Sequence, residues 1–327
     1  MTDVLAVEGL TVRLTAHPDR SSILDDVSFS VAAGEVLGIV GESGSGKSML
    51  ALSVMGLLPP ALTIRAGRIA VLGDELAGRS RQAWRAHRGR DMAMIFQEPM
   101  TSLNPVMRVG AQITEVLRWR GGLGRSEALQ RAFELLEQVE IPSPRSRLNA
   151  FPHELSGGMR QRVMIAIALA ASPKLLIADE PSTALDVTVQ AQILDLLRNL
   201  QRQSGLAMIL ITHDLGVIAE IADRVMVLYA GRVAETAPVR AIFNAPAHPY
   251  TQVLLGSIPD IDAPRSRLVT IPGTVPDALH MPPGCRFAPR CRFRQPPCEQ
   301  APPELRALAT DHKAACLYAS GELAVPA

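Results

Sequence analysis

The feature that most constrains this chain is a glycine-rich loop, Gly41–Ser48 (GESGSGKS), set between two apolar segments. The short run VLGIV precedes it and the helical pattern MLALSVMGLL follows it. Such a loop directs backbone N–H groups at a phosphate, and the helix that follows adds its dipole. We expect Lys47 to neutralise β/γ-phosphate charge and the Ser48 hydroxyl to coordinate Mg²⁺. The alternative is a strand-to-helix turn that binds nothing, but the strand and helix on either side favour the phosphate loop.

The chain around this loop alternates short apolar runs with helical patterns. We predict buried parallel strands at Val36–Val40, Lys174–Asp179 and Ala207–Thr212, because their apolar runs are nearly continuous. A helix is predicted from Val187 to Gln203, ending at Gly205. This order predicts an α/β fold, of the kind found in P-loop NTPases, with a parallel core sheet.

Three further parts complete the predicted architecture. Segments Leu5–Val12, Asp26–Val31 and Gly67–Leu72 are predicted to form an antiparallel β subdomain, and residues 82–147 to be mainly helical. The composition changes near Ile242: 14 of the 25 prolines, and all four cysteines, lie in the last 86 residues. So much proline predicts a separate, irregular C-terminal module.

Two polar sites follow predicted core strands. Asp179 and Glu180 end the run LLIADE, at the edge where open α/β sheets bind ligands. We expect Asp179 to hold the Mg²⁺ shell and Glu180 to orient the attacking water. His213 follows the third strand and is expected to stabilise developing charge on the γ-phosphate. The alternatives are a surface turn capping the next helix and an ordinary polar residue at a strand end.

Composition excludes several classes of protein. The 33 basic and 32 acidic residues leave a net charge of +1, and aromatic residues make up only 4%, so nucleic acid is not an expected partner. No run approaches the roughly 18–20 apolar residues of a membrane span. The N-terminal segment carries Asp3 and Glu8 and does not resemble a signal peptide. We therefore expect a cytosolic protein that reaches any membrane through partners.

Further motifs identify a family. LSGGMRQR (Leu155–Arg162) is similar to the signature sequence of ABC transporter ATPases, and it lies between the phosphate loop and Asp179. Gln97 resembles the Q-loop glutamine, Ser182–Asp186 (STALD) the D-loop, and His213 the switch histidine. Ser156 is a good N-cap, and the following glycines would let another backbone approach an anion-binding helix start. In this family that helix start faces the γ-phosphate bound by a partner subunit.

The resemblance implies a set of site residues. The catalytic residues it implies are Glu180, His213 and Lys47, and the magnesium ligands are Ser48, Gln97 and Asp179. The ATP-binding residues it implies are Gly41, Ser43, Gly44, Ser45, Gly46, Lys47, Ser48, Met49, Gln97, Asp179, Ser156, Gly157, Gly158 and Asp186. The family usually stacks an aromatic residue on adenine, but here none precedes Phe29, and Leu14 or His17 lies near the expected place.

The C-terminal region narrows the resemblance. PAHPYTQVLLGSIPD, IPGTVP and GCRFAPRCRF resemble the extension of oligopeptide and dipeptide importer ATPases. Two further segments, IAIALAASPKLLIADEPSTALDVTVQAQIL and MGLLPP, are most similar to their D-type subunit. This implies an ATP-binding domain at residues 1–241, with a helical subdomain at about 82–172, and an extension at 242–327. It also implies an F-type ATPase partner, two permease subunits, an external peptide-binding protein, and a peripheral location on the cytoplasmic face of the bacterial inner membrane.

The four cysteines, Cys285, Cys291, Cys298 and Cys316, lie within 32 positions of a chain otherwise free of them. Their spacing contains no CxxC knuckle, so a typical zinc ribbon is not predicted, although a Cys₄ metal site is. The resemblance implies a [4Fe–4S] cluster, with Zn²⁺ or free thiols as alternatives. We expect this module to lie far from the ATP phosphates and to have a structural or docking role.

Other functions remain open at this point. Nickel chelates, glutathione or opine-like compounds are alternative cargoes to peptides. A soluble ABC ATPase acting on nucleic acid is a further alternative, but the coiled-coil insertions, zinc fingers or paired cassettes typical of that class are not seen. The cysteine module also allows a redox-responsive regulator.

Overall fold

The computed structural model describes residues 3–97, 102–183, 185–257 and 271–319. The chain divides into two compact units. The first unit contains residues up to 5, residues 31–35 and residues 70–211. The second contains residues 6–30 and 36–69 and the chain from residue 212 onwards. Within the described ranges, no helix combines the length and apolar character needed to span a bilayer.

The first unit is built on three parallel strands. Strands β6 (Met92–Ile95) and β8 (Ala207–Ile211) pair with β7 (Leu175–Asp179), one on each side. A short strand, β5 (Asp74–Glu75), pairs with the end of β4 (Leu62–Val71). All five residues of β7 and of β8 are buried, as expected of strands covered on both faces.

Helices make up most of the rest of the first unit. They are α2 (Arg81–His87), α3 (Val109–Trp119), α4 (Arg125–Gln138), α5 (Pro144–Arg147), α6 (Gly157–Leu169) and α7 (Val187–Ser204). Helix α7 matches the prediction closely: its apolar stripe is buried, and it ends at Gly205, which adopts a left-handed conformation with φ 63°. A glycine there closes a helix without the strain that a Cβ would add.

The second unit carries another part of the strand framework. Strands β1 (Asp3–Leu14), β2 (Leu24–Ala32) and β4 lie mainly in this unit and are neighbours in the order β2-β1-β4. A second group begins with β3 (Val36–Val40), which pairs in parallel with β9 (Arg224–Tyr229). Strand β9 then pairs antiparallel with β10 (Arg232–Pro238).

Short helices connect these strands in the second unit. They are α1 (Lys47–Val54), α8 (Leu215–Ile221), α9 (Val239–Asn244) and α10 (Pro249–Gly256). Two 3₁₀ turns, Ala288–Arg290 and Pro296–Glu299, follow in the cysteine module. The predicted segment PAHPYTQVLLGSIPD lies only partly in the described residues, since residues 258–270 fall outside them.

The structure adds to one prediction about secondary structure and corrects another. The described part of region 82–147 is mainly helical, as predicted, but it also contains the strand β6, because the sheet recruits a run of Met and Ala residues whose local preference is ambiguous. The C-terminal module is not wholly irregular. Its strands β11 (Arg306–Ala309) and β12 (His312–Ala314) extend the sheet from β10, and neither contains proline.

Candidate functional site

The predicted site residues fall in both units. The second unit contains Gly41, Ser43, Gly44, Ser45, Gly46, Lys47, Ser48, Met49 and His213. The first contains Gln97, Ser156, Gly157, Gly158, Asp179, Glu180 and Asp186. In the D-loop, Ala184 lies outside the described residues.

The phosphate loop has the backbone that its glycines require. A Cβ on Gly41 would stand 2.2 Å from the Leu228 carbonyl oxygen, so no other residue fits there without a backbone shift. Lys47 is buried, and its Nζ donates to the carbonyl oxygens of Gly41 at 2.6 Å and Glu42 at 2.9 Å. These bonds hold the ammonium group within the loop, at the start of α1. The arrangement suits a phosphate ligand, which needs both backbone N–H groups and a cation.

His213 lies at the carboxyl end of β3, near the phosphate loop. The Thr212 N–H donates to the Ile39 carbonyl oxygen at 3.3 Å, two residues before the loop begins. Asp214 is the N-cap of α8, its carboxylate accepting from the Gly216 and Val217 N–H groups. His213, between these two anchored neighbours, is exposed. His213 thus lies in the same unit as the phosphate loop, and its role at the γ-phosphate stays a prediction.

Asp179 is the last residue of β7 in the first unit, and Glu180 follows it. Asp179 is buried, whereas Glu180 turns out of the strand with φ 48°, in the left-handed region. A non-glycine residue held there costs roughly 1–3 kcal/mol, and such strain is concentrated at functional positions. The Glu180 N–H donates to the Ile211 carbonyl oxygen on β8 at 2.9 Å, which anchors the turn.

The Glu180 carboxylate is held by two neighbours. Gln97 Nε2 and Thr183 Oγ1 both donate to its Oε2, at 3.1 and 2.7 Å. The structure thus brings together the Q-loop glutamine and the carboxylate that were predicted separately, 83 residues apart. Thr183 was not singled out from the sequence. Both of these bonds restrain the carboxylate through Oε2.

The signature segment begins a well-capped helix, as predicted. The Ser156 side chain accepts from the Met159 N–H at 3.4 Å, and both Ser156 and Gly157 are exposed. Gly158 has a different role, since a Cβ there would stand 2.7 Å from Val189 Cγ1 on α7. Gly158 therefore permits close packing of α6 on α7, and Gly157 leaves the helix start open to an approaching group.

Asp186, at the end of the D-loop, has a structural role within its own unit. Its Oδ1 accepts from the Val189 N–H at 2.9 Å and caps α7. An acceptor at this position satisfies one of the helix's unpaired N–H groups.

The phosphate loop is also held from the C-terminal region, which the sequence did not predict. Arg290 donates from both terminal nitrogens to the Glu42 carboxylate, at 2.6 and 3.0 Å, and the Glu42 N–H donates to Tyr250 Oη at 2.8 Å. Arg290 directly precedes Cys291, so the cysteine module contacts the phosphate loop through this side chain, while the expected distance of the cysteines from the ATP phosphates stays a prediction. No local pattern could have shown this, because these partners are separated by 208 and 248 residues.

The four cysteines line one small cavity, together with His248, Phe287 and other apolar groups. Burial raises the pKa of the Cys285 thiol to about 11, and burial also raises the pKa of Cys291 and Cys316. Backbone N–H groups of Phe287 and Phe293 donate to the sulfurs of Cys285 and Cys291. Cysteine sulfurs are the ligand type that iron–sulfur clusters use. Within the described ranges, however, no group of three or more His, Cys, Asp and Glu side chains is arranged to hold a metal ion.

Comparison with known proteins agrees with these features. Residues 24–183 match the family model for ABC transporters, and residues 234–298 match the model for the C-terminal region of oligopeptide/dipeptide transporters. The dipeptide transport ATP-binding protein DppD of Escherichia coli is 48% identical over 315 residues, 96% of each chain. The chain belongs to the ATP-binding proteins of ABC transporters.

Other relatives and solved structures agree with this membership. An ATP-binding protein of Brucella abortus assigned to peptide import is 50% identical over 300 residues, 92% of this chain and 90% of that protein. The dimeric ATP-binding cassette MJ0796, solved with ADP and phosphate, superposes with a TM-score of 0.64 at 27% identity, over 72% of this chain and 99% of the other. CbiO1 of Clostridium perfringens, part of the ABC transporter complex cbiONQ, superposes with a TM-score of 0.63 at 27% identity, over 75% of this chain and 92% of the other. The predicted α/β ABC fold is confirmed, and this ABC protein is an ATPase.

Proposed function

We propose that this ATPase energises the import of oligopeptides or dipeptides across the bacterial cytoplasmic membrane, from its cytoplasmic face. The observation that carries the proposal is the match of residues 234–298 to the oligopeptide/dipeptide transporter C-terminal region, together with the likeness to DppD over 96% of the chain. Nickel chelates, glutathione and opine-like compounds are the competing cargoes. Uptake of labelled dipeptides by cells with and without this gene, and competition by each alternative cargo, distinguishes them.

The site residues receive roles that follow from their chemistry. Lys47 and the loop N–H groups bind the ATP phosphates, with Met49 at the start of α1. Ser48, Gln97 and Asp179 offer hydroxyl, amide and carboxylate oxygens, the ligand type that Mg²⁺ prefers. When bound, Mg²⁺ neutralises charge on the β- and γ-phosphates. His213 donates to the γ-phosphate as its charge grows.

Glu180 is the proposed general base. Gln97 and Thr183 donate to its Oε2, and we assign the proton from the attacking water to this carboxylate. The two donors fix the carboxylate plane, and the turn at φ 48° aims it away from the strand. A carboxylate so restrained loses little entropy when it orients a water molecule.

Replacing Glu180 with glutamine tests this role. The glutamine side chain keeps an oxygen acceptor for Gln97 and Thr183 but cannot take a proton, so the Glu180→Gln variant should bind ATP normally. We expect its turnover to fall about 10²–10⁴-fold, the usual contribution of a general base. The matched control is Glu140→Gln, an exposed carboxylate that pairs with Arg162. Wild-type turnover by the assembled Glu180→Gln transporter, with the partner ATPase site also inactivated, would refute the assignment.

The proposed assembly contains this chain, an F-type ATPase, two permeases and, indirectly, an external peptide-binding protein. Support comes from the exposed helix start at Ser156 and Gly157, which is suited to an anion presented by another chain. The helical part of the first unit also has an open groove lined by Leu129, Arg118 and Trp119, the last 83% exposed, which suits a permease segment. The isolated chain should hydrolyse ATP slowly and the full complex much faster. Full activity from a strictly monomeric chain would contradict the shared site.

We further propose the division into an ATP-binding domain at 1–241, with its helical subdomain at about 82–172, and an extension at 242–327. Matches at 24–183 and 234–298 support two segments of different origin. Limited proteolysis of the full chain, followed by mass spectrometry of the fragments, locates the boundary.

In the extension, we propose that Cys285, Cys291, Cys298 and Cys316 hold a [4Fe–4S] cluster. Their common cavity and the N–H donors to sulfur support the proposal, and thiolates are the usual ligands of such clusters. The cluster would supply a cation core that neutralises the four thiolates. Anaerobically purified protein should contain iron and sulfide and lose its visible absorption in Cys291→Ser. One equivalent of zinc without sulfide would favour Zn²⁺ instead.

A further inference from the structure

Glu42, the second residue of the phosphate loop, is held through both its side chain and its backbone. Arg290 Nη1 and Nη2 donate to its two carboxylate oxygens at 2.6 and 3.0 Å. Its N–H donates to Tyr250 Oη at 2.8 Å. Its carbonyl oxygen accepts from Lys47 Nζ at 2.9 Å. A single residue of the loop thus connects the C-terminal region with the lysine that binds phosphate.

Arg290 is preorganised for this contact. Its Nε donates to the Pro272 carbonyl oxygen at 2.8 Å, and its Nη2 is also within 3.3 Å of the Gly273 carbonyl oxygen. Its Nη1 lies 3.2 Å from Tyr229 Oη. The Arg290 side chain is only 6% exposed, compared with 28% for Glu42. A buried, two-pronged ion pair of this kind is among the stronger polar contacts in proteins, and lysine cannot reproduce its geometry.

Tyr250 supplies a rigid second contact. It is fully buried, and its ring packs on Tyr229 and Phe287 with centroid separations of 4.5 and 5.4 Å. The ring therefore has little freedom, and the hydroxyl at its tip fixes the position of the Glu42 peptide group. Phe287 also lines the cysteine cavity. The same aromatic cluster supports both the cysteine module and the phosphate loop.

We propose that Arg290 and Tyr250 are positioning residues for the phosphate loop, so that the C-terminal extension sets the affinity of this chain for ATP. Neither touches the nucleotide. They hold the Glu42 backbone, and the Glu42 carbonyl oxygen accepts from Lys47 Nζ. Arg290 also neutralises the Glu42 carboxylate, which would lie beside the bound phosphates. The proposal rests on ATP binding at residues 41–48.

Arg290 should strengthen ATP binding in two ways, by anchoring the loop and by neutralising Glu42, and substitutions can separate the two. Without Arg290, the loop loses an anchor and the Glu42 carboxylate repels the triphosphate. We therefore expect Arg290→Gln to raise the Kd for a non-hydrolysable ATP analogue with Mg²⁺ about tenfold or more. Adding Glu42→Gln should restore part of that affinity, because the repelling charge is gone. Arg290→Lys should fall between wild type and Arg290→Gln.

The matched control is Arg294→Gln. Arg294 lies in the same module and forms an exposed ion pair with Glu299 at 3.0 Å, away from the phosphate loop. Its replacement should leave analogue affinity unchanged. Tyr250→Phe keeps the aromatic packing but removes the hydroxyl, and should weaken binding about three- to tenfold. In the assembled transporter, the Arg290→Gln defect should appear in KM for ATP, with kcat within about twofold of wild type.

Calorimetric titration of each full-length chain with the analogue, after thermal unfolding has shown it to be folded, decides the proposal. Wild-type affinity in folded Arg290→Gln would overturn it, as would an equal loss in Arg294→Gln. If Arg290→Gln does not fold, Tyr250→Phe decides, and wild-type affinity there overturns the proposal. Failure of the wild-type chain itself to bind the analogue would instead refute the proposed function.

Discussion

The N-cap of α10 makes the stability of this chain depend on pH. His248 is 4% exposed, and its Nδ1 accepts from the Tyr250 N–H at 3.0 Å. The His248 backbone N–H donates to Oε2 of the buried Glu235, whose Oε1 lies 2.7 Å from His312 Nε2. Burial lowers the pKa of His248 to about 4, against the attraction of the Glu235 charge. A protonated Nδ1 could not accept from Tyr250, so charging His248 also disrupts the helix start.

The sign and size of the effect follow from linkage. Because the folded-state pKa is below 6.5, the unfolded chain binds more protons between pH 6.5 and about 4. The stabilisation is present above pH 6.5 and is lost as the pH falls through this window. The full difference between the two pKa values corresponds to about 3 kcal/mol in the free energy of unfolding, of which about 2 kcal/mol should be lost between pH 7 and pH 5.

Urea unfolding of wild type and His248→Asn at both pH values measures this contribution. Asparagine is a good N-cap and keeps an acceptor for the Tyr250 N–H, but it does not titrate. Titrating groups distant from position 248 are common to the two proteins and cancel in the comparison. Wild type should lose about 2 kcal/mol more than His248→Asn between pH 7 and pH 5. Equal losses of unfolding free energy in the two proteins would refute the conclusion that His248 is buried in its neutral form.

Two further substitutions test particular contacts. Gly41→Ala should weaken ATP binding, measured by calorimetric titration, about tenfold or more, because its Cβ would stand 2.2 Å from the Leu228 carbonyl oxygen. Gly124→Ala is the control, since its Cβ would meet nothing within 4 Å. Asp25→Asn should lower the free energy of unfolding, measured by urea titration, by about 2–3 kcal/mol. The reason is that Asp25 pairs with Arg13, Arg232 and the buried Arg286 at 2.7–2.9 Å. Glu134→Gln, which removes a surface ion pair, should cause no measurable change in the same titration.

Much of the local structure could be predicted because its causes are local. The strand before the phosphate loop, the helix after it, the Ser156 cap and the Gly205 stop depend on neighbouring residues, and all are present. Nearly continuous apolar runs likewise placed β7 and β8 to within one residue. Strand β6 was missed because a four-residue run of Met, Ala and Ile becomes a strand only when β7 offers it hydrogen bonds.

The motifs also predicted most residues of the candidate site, since their order and spacing are characteristic of ABC transporter ATPases. They did not show how those residues are held. The two donors to Glu180 Oε2 and its positive φ appear only when β7, β8 and the Q-loop meet in one unit. The packing role of Gly158 similarly depends on where Val189 of α7 lies.

The phosphate loop, most of the core strands and helices, and the family could be predicted from the sequence, because each depends on residue types at short, fixed spacings. The contacts of Arg290 and Tyr250 with Glu42 appear only in the folded chain. The physical reason is that contacts between residues about 200 positions apart depend on how the sheet and its connections bring distant segments together. A single chain's local pattern contains no record of that geometry.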